Sequence, residues 1–279
     1  MPVIIVGNIS VGGTGKTPLT VWLVKHLQSQ GWRPGIVSRG YGGEASAYPL
    51  PVTGDSDTKA AGDEPVLLAR RTGCPLVVDP HRAQAAQALL THNDVNIIIS
   101  DDGLQHYALR RDLEIVVVDA QRRCGNGLLL PAGPLREGRG RLQQVDAVLV
   151  NGAVGDEAGF HLLAGKLQSL QGHAEQELSA LQGQTVHAVA GIGNPERFFN
   201  MLRQAGIEVL AHAYADHYQY QPDDIIFDDD LPVLMTEKDA VKCRAYASDR
   251  HWYLPVDAEL NTAGLRRINA VLSKLNVAK

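Results

Sequence analysis

Ser10-Val11-Gly12-Gly13-Thr14-Gly15-Lys16-Thr17 follows the short apolar run Val3–Val6 and precedes an amphipathic stretch from Thr17 to Gln30. A loop that cradles phosphates needs small residues, so that successive backbone N–H groups can curl round the oxygens. It also needs a Lys to offset charge and a Ser or Thr hydroxyl to face Mg²⁺. Gly12, Gly13, Gly15, Lys16 and Thr17 meet those needs between a strand and a helix, and Ser10 stands where the pattern's first Gly would fall. The sequence predicts a nucleotide-binding loop formed by Ser10, Val11, Gly12, Gly13, Thr14, Gly15, Lys16 and Thr17.

Outward from this loop the pattern continues as short apolar runs alternating with amphipathic ones, which reads as an α/β fold with a mostly parallel sheet. Val3–Val6, Ile36–Ser38, Leu76–Val78, Val95–Ser100 and Ile115–Asp119 are the predicted strands. Thr17–Gln30, Glu64–Arg71 and Arg82–Leu90 are the predicted helices; Leu19, Leu23, Val24 and Leu27 form one stripe. Two long irregular stretches, 39–60 and 121–144, interrupt the alternation, and loops of that length are usually functional. A second α/β set begins near Thr185, with strands at Val186–Ala190, Val209–Ala211 and Val233–Met235 and helices from Pro195, Lys238 and about Leu260. The expected organisation is a kinase-like nucleotide domain over 1–152, a linker over 153–184 and a smaller α/β domain over 185–279 that closes over the site.

Composition narrows the class. The 279 residues are 44% hydrophobic and 20% charged, as in ordinary globular chains, and the net charge of -5 argues against broad nucleic-acid binding. Cys74, Cys124 and Cys243 have no metal-binding spacing and are odd in number, as expected of reduced cytoplasmic thiols. No apolar run reaches the ~18 residues needed to span a bilayer.

The strand Val95–Ser100 runs into Asp101-Asp102-Gly103. Carboxylates at the C-terminal edge of a parallel sheet beside a phosphate loop can order Mg²⁺ or its waters. Asp63 and Glu64 open a helix, where acids also complement the macrodipole. His217 by its residues alone reads as a surface or capping histidine. Val11 occupies the position where membrane-partitioning ATPases carry a second Lys, and Thr236-Glu237-Lys238-Asp239 lacks the spacing of a GTPase base-reading motif. Both absences tilt toward metabolic phosphoryl transfer, although a ligase on a soluble molecule or a partner-driven ATPase would use the same loop.

Several runs together resemble the tetraacyldisaccharide 4'-kinase family of lipid A biosynthesis: Gly7-Asn8 before the phosphate loop, Val37-Ser38-Arg39-Gly40-Tyr41-Gly42, Ala61-Gly62-Asp63-Glu64-Pro65, Asp101-Asp102-Gly103-Leu104-Gln105-His106, Leu130-Pro131-Ala132-Gly133-Pro134-Leu135-Arg136-Glu137, Ala190-Gly191-Ile192-Gly193-Asn194-Pro195, Asp216-His217 and Thr236–Lys242. The resemblance implies transfer of the γ-phosphoryl group of ATP to the 4'-hydroxyl of a tetraacyldisaccharide 1-phosphate, with Mg²⁺. It implies Asp63 as the base, His217 as its partner, Lys16 on the phosphates, and Thr17, Asp101, Asp102 and Glu137 around the metal. His106 lines the site in the same reading, and Thr236–Lys242 either meets the nucleotide or braces the second domain. The implied setting is a monomer working peripherally at the cytoplasmic face of the inner membrane. Family members carry an apolar N-terminal segment before the first strand, whereas this sequence starts at the strand; the expectation is a shortened form or docking by another surface. The arginines of 121–144 form a basic rim suited to phosphate or anionic headgroups.

Overall fold

The computed structural model describes residues 1–172 and 174–276. The chain forms two compact units, one comprising Met1–Leu163 with the chain from Asp257 onward, the other Ala164–Val256.

The first unit runs β1 (Val3–Gly7), α1 (Lys16–Ser29), β2 (Pro34–Ser38), β3 (Leu50–Val52), α2 (Thr58–Ala61), α3 (Asp63–Thr72), β4 (Leu76–Val78), α4 (Arg82–His92), β5 (Ile97–Asp101), β6 (Leu113–Asp119), β7 (Ala147–Asn151) and β8 (Gly159–Ala164). Every residue of β1, β2, β5 and β6 is buried, which is why these strands read as unbroken apolar runs rather than alternating ones. β1 lies between β5 and β6, parallel to both, and its register sets Val6 opposite Asp101. That register carries the acidic end of β5 to the start of the phosphate loop. Beyond β5 the sheet continues through β2 and β4 to β3, which is antiparallel to β4.

The second unit contains β9 (Leu167–Ser169), β10 (Glu175–Gln176), β11 (Thr185–Ala190), α5 (Pro195–Gln204), β12 (Glu208–Ala213), β13 (Val233–Thr236), α6 (Glu237–Cys243) and β14 (His251–Leu254). Its sheet has the order β10-β9-β14-β13-β11-β12. Phe198, Phe199 and Leu202 of α5 pack on Val186, Ala188 and Leu234. The chain then returns to the first unit as β15 (Val256–Leu260), beside β8 at the edge of the nine-stranded sheet, and ends in α7 (Thr262–Asn276).

The division expected at 152 and 185 is therefore replaced by another. β8 belongs to the first sheet because Val150 and Asn151 of β7 pair with Gly159 and Phe160. β9 and β10 belong to the second unit, so 153–184 carries three short strands divided between the two units rather than one linker. α7 belongs to the first unit, where Lys274 pairs with Asp146 at 2.7 Å and Asn269 hydrogen-bonds His26 at 3.0 Å. His173 and residues 277–279 of the expected segments lie outside the described residues. The stretch 39–60 contains β3 and the start of α2, while 121–144 has only a short 3₁₀ turn at Arg139–Gln143.

Candidate active site

The loop after β1 turns into α1 through two glycines in the left-handed region, Gly12 at φ 90° and Gly15 at φ 93°. A side chain is strained at either position. A Cβ on Gly15 would also stand 2.6 Å from the Asn151 amide, and one on Gly12 the same distance from the Arg122 guanidinium. The loop is held from behind by Thr14, which is buried. Asn8 Nδ2 donates to the Thr14 hydroxyl at 3.1 Å, and Asn151 Nδ2 donates to the Thr14 carbonyl at 3.1 Å. Arg122 donates to the Gly13 carbonyl at 2.5 Å. Gly13 and Thr14 are thus fixed through their carbonyls and the Thr14 side chain rather than their amides, while the Val11 amide is given to the Pro134 carbonyl.

Lys16 opens α1 and reaches Asp102 at 3.4 Å. Arg136 donates to both oxygens of the same carboxylate, at 3.1 and 2.9 Å. Burial pushes the Asp102 pKa up, but the two cations outweigh it and hold the group below the usual carboxylate range. Asp102 itself sits at φ 48°, a conformation few non-glycine residues adopt.

Its neighbour behaves oppositely. Asp101 is fully buried, and burial together with the charges of Glu64 and Asp102 pushes its pKa up to about 7. The Thr20 hydroxyl approaches it at 3.4 Å. Adjacent acids on one strand end are thus split, one held ionised by Lys16 and Arg136 and one held near neutrality in a surplus of negative charge. Such a split marks a site built for a charged ligand.

Asp63 is the first residue of α3, 4% exposed, following Gly62 at φ 88°. The Glu64 amide donates to it at 2.8 Å. A Cβ on Gly62 would lie 2.7 Å from the Tyr41 carbonyl, so the glycine lets the Arg39–Gly42 turn pack directly behind the helix start. Beside this corner lies Arg82, 2% exposed, which donates to the Asp79 carbonyl at 3.1 Å and has a buried Nε without a partner. Burial lowers its pKa to about 10 against the opposing pull of Asp101 and Asp102. His106, half-buried, is lowered by burial and by Arg82, Arg39 and Arg111.

Glu137 is occupied by protein donors. Gln105 donates to it at 2.5 Å and Tyr107 at 2.6 Å, and Arg141 lies at 3.3 Å. Gln105 also donates to the Asn8 carbonyl at 3.2 Å, so Glu137 braces the entry to the phosphate loop. Among the described residues no group of three or more His, Cys, Asp or Glu is gathered to hold an ion. A Mg²⁺ bound with nucleotide needs only one or two protein oxygens, the rest coming from phosphate and water. Thr17 and Asp101 provide hard oxygen donors of that kind, and the negative surplus at Asp101 fits a dication.

The chain matches the family described as Tetraacyldisaccharide-1-P 4'-kinase over residues 1–274. It belongs to that family. The kinase is 54% identical over 281 residues to the Tetraacyldisaccharide 4'-kinase of Hahella chejuensis, covering 100% of this chain and 83% of that protein. It is 52% identical over 261 residues to the enzyme of the same name from Nitrosococcus oceani, covering 93% and 77% respectively. Its fold is similar to LpxK from Aquifex aeolicus, whose crystal structure is described as an "apo" form in complex with ATP. The TM-score is 0.79 and the identity 28%, over 98% of this chain and 88% of that one.

In the kinase's second unit, His217 is half-buried at φ 62°, with its Nε2 3.4 Å from Lys238 Nζ. Lys238 also pairs with Asp216 at 3.0 Å. The rest of the Thr236–Lys242 run is internal bracing. Asp239 accepts from the Thr236 hydroxyl at 2.5 Å and from the Gly191 amide at 3.0 Å, and forms a buried ion pair with Lys242 at 2.9 Å. Of the two readings the run allowed, these contacts favour the structural one for Thr236, Asp239 and Lys242.

Sequence reading missed Arg82 and Asn151, and marked Asn8 only as part of the run before the loop. Arg82 looks like an ordinary first residue of a helix, and Asn151 looks like a strand end; only the parallel register brings Asn151 of β7 within reach of the loop.

Proposed function

We propose that this kinase uses Asp63 to accept the proton of the acceptor's 4'-hydroxyl as the γ-phosphoryl group of ATP moves onto it. Family membership and the phosphate loop support the reaction, the resemblance supplies Asp63 as the base, and the split pair Asp101 and Asp102 beside Lys16 is the observation that carries the phosphate end of the reading. In a loose phosphoryl transfer the protein mostly positions the reactants and offsets charge. The loop amides and Lys16 would bind the β- and γ-phosphates, while Arg136 keeps Asp102 ionised and so holds Lys16 at the loop. Arg82 is a buried cation for further negative charge. Thr17 and Asp101 would hold Mg²⁺, which when bound neutralises charge on the phosphates. Asp63, at the start of α3 and backed by the turn behind Gly62, would take one proton. His217, which the resemblance pairs with this base, would orient it. The acceptor's acyl chains imply work at a membrane surface.

The test is phosphorylation of detergent-solubilised tetraacyldisaccharide 1-phosphate by ATP with Mg²⁺, comparing the native chain with Asp63→Asn. The expected outcome is a loss of kcat of about 10³-fold with ATP affinity retained. An Asp63→Asn enzyme that keeps its kcat would refute the assignment. His217→Gln is expected to lower kcat more than it raises KM.

A further inference from the structure

Leu128, Leu129 and Leu130 are 53%, 52% and 52% exposed, and Pro131 and Ala132 after them are also exposed. Elsewhere among the described residues the exposed large apolar side chains occur singly along the chain. Scattered exposure of that kind needs no explanation, but a run of five does.

The loop that carries the run is held in shape. The Leu128 amide donates to the Asn126 side chain at 3.1 Å, whose other end donates to the Ala132 carbonyl at 2.9 Å. The Leu130 amide donates to the Leu135 carbonyl at 2.8 Å, the Leu135 amide to the Leu128 carbonyl at 3.1 Å, and the Gly133 amide to the Leu129 carbonyl at 3.0 Å. A Cβ on Gly133 would fall 2.2 Å from Asn126 Oδ1, so the two limbs touch. Leu135 anchors the loop in the core, 1% exposed. The leucines are therefore fixed outward by their own backbone bonds rather than left out by a loose chain.

Charge surrounds them asymmetrically. Between Arg122 and Arg141 there are five arginines and one glutamate, a local charge of +4 in a chain whose net charge is -5. Arg136 and Arg141 are engaged with Asp102 and Glu114, and Arg123 with Glu157. Arg139 is exposed, has no carboxylate partner among the described residues, and reaches over Gly127 at the foot of the leucine run. Apolar side chains at a tip with a cation at the base suit an anionic bilayer interface, where leucines enter the acyl boundary and arginine stays with the headgroups.

The loop is also joined to the catalytic corner. The Val11 amide donates to the Pro134 carbonyl at 2.9 Å, and Ser10 bridges to Leu135. Val11, 37% exposed, extends the apolar surface onto the phosphate loop itself.

We propose that the Leu128–Ala132 loop, with Arg139 at its base, inserts into an anionic lipid bilayer and seats the phosphate loop at the membrane surface. This rests on the reading that the acceptor is an acylated, membrane-held sugar.

The test uses the full chain in flotation with vesicles of phosphatidylethanolamine and phosphatidylglycerol. Replacing the three leucines together, Leu128→Ser, Leu129→Ser and Leu130→Ser, is expected to lower the partition coefficient by about a hundredfold. Arg139→Gln is expected to lower it by about fivefold, an effect absent on phosphatidylcholine vesicles. In a separate Leu129→Trp variant, the added indole should be quenched by brominated acyl chains; the same protein without that change supplies the background of Trp22, Trp32 and Trp252. Unchanged melting of each variant shows that the fold is kept. A triple variant that floats like the native chain, an indole at 129 that escapes quenching, or a native chain that does not float would each overturn the proposal. Turnover on the detergent-solubilised acceptor should be unchanged in the triple variant. An equal loss there would assign the leucines to the acceptor's own chains and overturn bilayer insertion. Absence of any turnover by the native chain would instead refute the proposed reaction, while flotation still reads the loop.

Discussion

Two strand ends in this molecule begin from similar sequence and finish differently. β5 ends in Asp101 and Asp102. β13 ends in Thr236, and the helix that follows supplies Asp239 and Lys242. Both bury carboxylates at the C-terminal edge of a parallel sheet. In the second unit Asp239 receives a hydroxyl, a backbone amide and a lysine from its own neighbourhood, and Lys242 lies over the Tyr220 ring at 4.9 Å. Burial and the nearby Asp239 push the Tyr220 phenol far up, so it stays neutral. In the first unit burial, with the charges of Glu64 and Asp102, outweighs Lys16 and Arg82 and raises the Asp101 pKa to about 7. A buried charge that its neighbours saturate is structural; a buried charge that they leave short is prepared for something that arrives.

The contrast can be broken by exchanging the kinds of damage each corner suffers. Lys16→Ala should cost kcat about 10³-fold, because it removes charge offset at the phosphates, and should leave thermal unfolding nearly unchanged. A large fall in melting temperature would put Lys16 in the structural class. Asp239→Ala should do the reverse, costing about 3 kcal/mol in denaturant unfolding by stranding Lys242 and the Gly191 amide in the interior. Wild-type stability with full expression would show that the second corner is not the brace inferred.

The Asp101 proton sharpens the comparison through pH. A carboxylate whose folded pKa is raised stabilises the fold below its unfolded value, and that contribution is lost as pH rises toward the folded one. Stability of the nucleotide-free chain should therefore fall between about pH 4 and 7. Asp101→Asn should flatten that slope and exceed the native chain in stability at pH 8, by on the order of 2 kcal/mol. Identical pH profiles would show that Asp101 is ionised like its neighbour. As a baseline, Arg33→Ala, which removes an exposed pair with Asp94 at 3.0 Å, should change stability by less than about 0.5 kcal/mol.

The strands that sequence made legible are the ones buried on both sides. β1, β2, β5 and β6 are written mostly as apolar runs because both of their faces are buried, with polar residues mainly at their C-terminal ends. β3, β8, β10 and β15 are short or half-exposed, and their composition says little because their partners create them. The same rule holds for the site. Lys16 and Asp102 lie in motifs whose spacing carries the chemistry. Arg82 and Asn151 act from distant positions that register alone brings in. Glu137 came from resemblance as an acid near the metal, and its oxygens prove to be filled by Gln105, Tyr107 and Arg141.

The insertion of the second unit between β8 and β15 has a consequence for how the protein is made. The phosphate loop is synthesised before the second unit, but the edge strand beside β8 and the helix that pairs with Asp146 and His26 are synthesised after it. Ala164–Val256 can fold as its own unit while the older part of the chain waits with an open sheet edge, a state in which strand edges invite mispairing. For this kinase, completion of the nucleotide-binding unit waits on synthesis beyond residue 256, and a stall in translation between residues 164 and 256 leaves the phosphate loop attached to an unfinished scaffold.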